Sequence, residues 1–193
     1  MPHLVELFSG TQSIGNSFRM RGWQVTSVDI DAKSLPTICL DVMDLTAEDL
    51  LEYGNVDLIW SSPCTHYSCS RTTETPRDLE SDALVSKVLD LADQLCCYYL
   101  LENPHSGPLK TRPIMHGINN VVLDYCVYGA RERTAIIWTN TDYIPRPRCN
   151  KDCASSEGGR HARARRSGRG YSPKVYIPAE LCDEIAVWAD KLK

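Results

Sequence analysis

Three things are missing from these 193 residues, and each absence narrows what the chain can be. No apolar run approaches the ~20 residues that a membrane-spanning helix needs. The opening MPHLVELFSG has neither the basic start nor the long apolar stretch of a secretory leader. The nine cysteines are odd in number, and their spacings form no small-domain disulfide pattern. A membrane-spanning protein and an exported disulfide scaffold are therefore not expected. We expect reduced thiols and a place in the cytosol or a nucleus.

What is present reads as a soluble globular chain. Hydrophobic residues make up 42% and charged residues 24%, and 193 residues suit one domain with a sizeable core. There is no internal repeat and no second domain. Cys39, Cys96 and Cys97 lie in apolar segments and Cys182 in a helical pattern, so all four are expected to pack as small hydrophobes. The net charge of −4 is unevenly spread. Residues 146–170 hold Arg146, Arg148, Lys151, Arg160, Arg163, Arg165, Arg166 and Arg169 against only Asp152 and Glu157, a net +6 that leaves −10 elsewhere. An acidic body with one basic loop fits either a polyanion met from one side or a solvated loop.

Strand and helix patterns alternate along the chain. Residues 3–8 and 23–31 read as strands around a helix over 12–21 that Gly22 ends. A short strand is expected over 37–42. A helix is expected over 46–53, with Thr46 as N-cap and Asp49 in its first turn. A buried strand follows over 56–60. Leu84, Val88, Leu91 and Leu95 carry the helical spacing of residues 77–97, with Leu79 at its start. Strands are then expected over 98–103, 120–126 and 134–140, a loop over 141–172, and a last helix opened by Pro178. The alternation predicts an α/β domain with a largely parallel sheet. The final two strands are joined too briefly for a parallel crossover, so they form an antiparallel hairpin and make the sheet mixed.

In open α/β sheets ligands bind at the carboxyl ends of the strands. Four such ends carry polar or special residues: Phe8-Ser9-Gly10, Asp29, Ser61-Ser62-Pro63-Cys64 and Glu102-Asn103. Gly10 permits a sharp turn and close approach to a ligand. Asp29 is placed to accept from ribose hydroxyls, and Asp41 to meet a base edge. The full G-x-G-x-x-G fingerprint is missing, which favours a nucleoside cofactor without a pyrophosphate. A turn glycine and a capping Asp would read the same way. Cys64 can be a nucleophile, a metal ligand with His66 and Cys69, or a loop cysteine. Glu102 ends an apolar strand, a setting that suits a proton donor or a loop anchor.

The segments LVELFSG, SSPCTHYS, LLENP and YGARERTAII, in that order and spacing, resemble the motifs of the cytosine-5 DNA methyltransferases over roughly residues 3 to 140. The short length and the closing IPAELCDEI are similar to the small phage and large-virus branch of that family. The resemblance implies a Rossmann-like S-adenosylmethionine-dependent methyltransferase fold acting on a flipped-out cytosine in double-stranded DNA. It implies that Phe8, Ser9, Gly10 and Ser62 face the donor, that Asp29 and Ile30 hold its ribose, and that Asp41 and Val42 frame its adenine. Cys64 would attack C6 of cytosine, and Glu102 would hold or protonate N3. Arg131 and Arg133 would steady the site, Arg133 at the base carbonyl. It selects the nucleophile among the roles open to Cys64. A viral origin would place the protein in the cytoplasm, the host nucleus or a viral factory. Two alternatives stay beside this reading: the same chemistry on tRNA, and a non-catalytic nucleic-acid-binding protein that keeps the cofactor fold.

The chain also departs from the family. Gln12 and Thr65 stand where larger members carry Gly and Gln, Pro104 replaces the usual Val, and Gly129 a usual Gln. Only residues 141–172 occupy the place of a large target-recognition domain. That basic loop, centred on 146–170, is expected to contact phosphates with little reading of base edges. It contains Cys149-x3-Cys153-x7-His161, and Cys126 closes the preceding strand. These four can form a zinc site that orders a loop too small to order itself, or remain free cysteines of a flexible loop.

Overall fold

The strand β1 (His3–Leu7) is buried along its whole length in the interior of a seven-stranded sheet. The computed structural model describes residues 1–63, 76–130, 133–154, 156–157, 160–161 and 177–192. The other strands of the sheet are β2 (Gln24–Asp29), β3 (Ile38–Cys39), β4 (Leu58–Ser61), β5 (Tyr98–Pro104), β6 (Asn120–Asp124) and β7 (Thr134–Thr139). Their order is β3-β2-β1-β4-β5-β7-β6. Strands β1 to β5 pair in parallel, whereas β7 runs antiparallel to both β5 and β6. The mixed sheet and the final antiparallel pair are as expected from the sequence.

Period-two alternation assigns each strand residue to a face. Leu4, Leu58, Trp60, Leu100 and Ile137 pack with α1 (Ser13–Met20) and α4 (Ala179–Ala189). Val5, Leu7, Ile59, Leu101 and Trp138 pack on the other face with α2 (Ala47–Leu51) and α3 (Pro76–Gln94). Both faces are covered, which is why the inner strands are apolar along most of their length. Glu6 and Glu102 fall on the α1/α4 face by the same alternation.

Local signals explain the helix ends. Thr46 caps α2, and Thr46 and Asp49 form a reciprocal capping box. Helix α1 ends at Gly22 (φ +78°), with the Trp23 N–H bonded to the Phe18 carbonyl and the Gly22 N–H to that of Arg19. Helix α3 ends in the same hydrogen-bond pattern, with Cys96 at φ +49° in the place glycine usually takes. Helices α1 and α4 are tied by Ser17 to Asp183 (2.6 Å) and by Arg21 and Trp23 to Asp190.

Five expectations need correction. Cys96 is exposed, because its left-handed position points the side chain away from the core. Cys39 is also exposed, at the sheet edge; Cys97 and Cys182 are buried as expected. Strand β3 is only two residues long, because Asp41 turns the chain by accepting the Met43 and Asp44 N–H groups. The strand expected over 120–126 stops at Asp124, and Cys126 sits on a 3₁₀ turn, Tyr125–Tyr128. The segment after β7 holds a small hairpin, β8 (Ser156–Glu157) with β9 (Arg160–His161). No helix among the described residues is long and apolar enough to cross a membrane.

Candidate active site at the carboxyl ends of the strands

The strand order reverses between β1 and β4, and the turn after β1 opens a cavity there. Phe8 (φ +55°), Gly10 (φ +46°) and Gln12 (φ +53°) occupy the left-handed region at alternate positions. Only one of the three is glycine, so the turn holds strain of the kind that clusters at functional sites. Asp29, at the end of β2, anchors it: one carboxylate oxygen accepts the Gly10 N–H at 2.7 Å and the other the Asp31 N–H at 2.8 Å. The Gln12 side chain reaches across to the carbonyls of Ser34 and Leu35, both at 3.0 Å. It therefore latches two loops together.

The cavity measures ≈ 720 Å³, within the usual range for a small-molecule site. Of the residues singled out for cofactor binding, Phe8, Ser9, Gly10, Asp29 and Ser62 line it, together with Glu6, Lys33, Trp60 and Ile177. Three others lie outside its walls. Ile30 is 70% exposed, Asp41 is used in the turn after β3, and Val42 is packed in the core below α2. Burial pushes the Glu6 carboxyl up to about 7, against the opposing pull of the Gly15 N–H, at 3.0 Å, and of nearby Arg19.

Glu102 is 1% exposed and sits two strands from the turn, near the end of β5. Ser62 donates to its Oε2 at 2.7 Å, and Tyr125 donates to its Oε1 at 2.8 Å. The Arg133 guanidinium lies 3.6 Å from Oε1 and 5.2 Å over the Tyr125 ring. Burial, reinforced by the Glu102 charge, raises Tyr125 well above its ordinary range, so its hydroxyl keeps its proton and must donate. Two hydroxyl donors, one on each oxygen, and a guanidinium at ion-pair distance thus hold one buried carboxyl. Because Ser62 also lines the cavity, Glu102 and the cavity share a wall.

Asn103, fully buried beside Glu102, donates to the Pro63 carbonyl at 3.3 Å. Pro63 is the residue before Cys64, so β5 holds the start of the loop that carries the expected nucleophile. Cys64, His66, Cys69 and Arg131 themselves lie outside the described residues. So do residues 162–170 of the basic window, with Arg163, Arg165, Arg166 and Arg169. Of its described members, Arg146 pairs with Glu180 (2.7 Å) and Glu184 (3.0 Å), and Arg148 pairs with Asp124 (2.6 Å). Cys126, Cys149, Cys153 and His161 come together beside this pair, with all four ligand atoms within 4.8 Å of one another.

Glu6 and Tyr125 were not singled out from the sequence, and Asn103 was marked only as part of a polar strand end. A lone acid inside the apolar run HLVELF was the available signal for Glu6. Nothing local marks Tyr125, since its partner is 23 residues away across two strands.

The strand order and the single antiparallel β7 make this a Rossmann-like fold, one it shares with solved methyltransferase structures. Among solved structures, the chain is similar to a protein of an Escherichia coli prophage described as a DNA modification methyltransferase. The TM-score is 0.55 at 18% identity, over 72% of this chain and 46% of that one. It is also similar to the Entamoeba histolytica methyltransferase EhMeth, with a TM-score of 0.54 at 14% identity, over 75% of this chain and 55% of the other. The chain spans about half the length of these structures. No protein-family model and no curated protein matches the sequence.

Proposed function

We propose that this chain methylates C5 of cytosine in DNA through a covalent Cys64 adduct. The observation that carries the reading is the buried Glu102 carboxyl, held by Ser62, Tyr125 and Arg133 and sharing the Ser62 wall with the cavity at the strand-order reversal. The cavity's chemistry fits S-adenosylmethionine. The Ser9 hydroxyl is buried there without a partner among the described residues, Asp29 offers carboxylate oxygens for ribose hydroxyls, and Phe8 and Trp60 supply apolar wall. When bound, that donor supplies an electrophilic methyl group on a cationic sulfonium.

Cytosine C5 is a poor nucleophile until C6 is attacked, so a covalent step is needed. The Cys64 thiolate forms a bond to C6, and the ring electrons shift toward N3, where Glu102 holds or delivers a proton. C5 then takes the methyl group. Loss of the C5 proton to a water or other base expels Cys64 as thiolate, and N3 returns its proton to Glu102 as the ring is restored. General acid help of this kind contributes about 10²–10⁴-fold. The base must leave the stack first, at roughly a few kcal/mol. Arg163, Arg165, Arg166 and Arg169 are the part of the basic window assigned here to phosphates, because Arg146 and Arg148 are paired within the chain.

Duplex DNA carrying 5-fluorocytosine tests the proposal. It should form an adduct, stable to denaturant, that requires both S-adenosylmethionine and Cys64. An adduct formed equally by Cys64→Ala would overturn the mechanism. Competition with tRNA separates DNA from the RNA reading, and donor binding without any adduct would favour the non-catalytic one.

A further inference from the structure

We propose that Cys126, Cys149, Cys153 and His161 bind one zinc ion, which clasps the segment after β7 onto the turn that holds Glu102. The four residues come from two places in the chain. Cys126 lies on the 3₁₀ turn after β6, and the other three lie beyond β7, His161 being delivered by the β8–β9 hairpin. Their ligand atoms all lie within 4.8 Å, and Cys149 Sγ is 3.3 Å from His161 Nε2. A tetrahedral zinc with Zn–S near 2.3 Å needs ligand atoms about 3.5–4 Å apart, so the set is close to ligating geometry without backbone rearrangement. Three thiols and one imidazole are a donor set that selects zinc over harder cations.

The surroundings are arranged as metal-site surroundings are. The Lys151 N–H points at Cys149 Sγ at 3.3 Å, made possible by Lys151 at φ +66°, which folds the Cys149–Cys153 turn back on itself. Asp124 accepts the Cys149 N–H at 3.1 Å and Arg148 Nε at 2.6 Å, so the first ligand of the segment is already pinned to the end of β6. Asp124 is in turn fixed by Thr134 at 2.7 Å. Such outer partners orient ligands and are part of a working site. All three cysteines are free thiols, and three thiols leave one over from any single disulfide.

The segment has reason to need a metal. Among its described residues the paired strands are two residues each, and only Tyr143 belongs to the major core clusters. A stretch that buries so little apolar surface gains order from a cross-link instead. The clasp also reaches the site. Cys126 adjoins Tyr125, whose hydroxyl holds Glu102 Oε1. Zinc would therefore hold the segment that stands in for a recognition domain and steady the Tyr125 turn together.

Metal analysis of the full chain tests this independently of methyl transfer. Protein purified from zinc-supplemented cells and washed with a mild chelator should hold about one zinc per chain. Cys149→Ser and Cys153→Ser should each lose most of it, while Cys39→Ser, at the far edge of the sheet, should retain it. Cobalt(II) exchanged into the wild-type chain should give the intense visible absorption and thiolate charge-transfer band of a tetrahedral site. Should the variants fail to fold, zinc release from the wild-type chain as its thiols are titrated with a mercurial gives the same answer. Wild-type protein holding well under about a tenth of an equivalent, or Cys149→Ser/Cys153→Ser retaining wild-type zinc, overturns the proposal.

Discussion

The Tyr125 hydroxyl, at the start of the turn after β6, donates a 2.8 Å hydrogen bond to Glu102 Oε1 on β5. Tyr125 does not line the cavity, so in the proposed reaction it would act through Glu102. Tyr125→Phe removes the donor and keeps the ring that packs in the core. Leaving a buried carboxyl oxygen short of a partner costs about 1–3 kcal/mol, so we expect kcat to fall about 5- to 100-fold. KM and donor affinity should hold near wild type. A proportional rise in KM, or a fall in donor affinity, would assign Tyr125 to general packing instead.

Asn103 links β5 to the Pro63 carbonyl, one residue before Cys64. Asn103→Ala should loosen the point from which the chain leads to Cys64, the proposed nucleophile, and leave the cavity intact. We expect trapping by 5-fluorocytosine DNA to slow about tenfold, the equivalent of one lost hydrogen bond of about 1.4 kcal/mol. Donor binding measured by calorimetry should be unchanged. An unaltered trapping rate would remove Asn103 from the mechanism.

Asp29 receives two backbone N–H groups, from Gly10 and Asp31. Asp29→Ala leaves both without that acceptor and removes a polar edge of the cavity. We expect a destabilisation of about 1–3 kcal/mol and at least a tenfold weaker donor affinity. Asp29→Asn keeps an acceptor and should recover more of the stability than of the donor affinity. Equal recovery of both would make Asp29 a structural residue only.

Burial raises Glu6 from the ordinary carboxyl range to about 7, with Arg19 pulling against the rise and Asp29 adding to it. The folded chain therefore binds this proton more tightly than the unfolded chain. The cost of burying the charge is absent below about pH 4.5, grows as pH rises, and is complete above about pH 7. Glu6→Gln should match wild type near pH 5 and exceed it by up to about 3 kcal/mol near pH 8. Thermal melts across that range provide the check. A difference that does not change with pH would show that Glu6 ionises freely.

Several parts of the fold were legible one segment at a time. Gly22 and the Thr46–Asp49 pair mark their helix ends through bonds spanning five residues or fewer. The strand runs from β1 to β7 announced themselves by apolar content, and the short β6–β7 connection required an antiparallel pair. The four ends Phe8-Ser9-Gly10, Asp29, Ser62 and Glu102 pointed to the cavity's neighbourhood for the same reason, since a strand's last residue is a local fact. Cys39 and Cys96 misled, because an apolar neighbourhood in sequence says nothing about a sheet edge or a left-handed helix terminus.

The sequence by itself thus determined the order of the elements, their faces and the chemistry waiting at the strand ends, because periodicity, caps and turns act over a few residues. The tertiary structure alone decided what those ends meet. It placed Ser62 and Tyr125 on opposite oxygens of Glu102, latched Gln12 to Ser34 and Leu35, and brought Cys126 beside Cys149, Cys153 and His161. These contacts join residues 22 to 40 positions apart. They exist because burying both faces of the sheet selects one strand order, and no local propensity carries that choice.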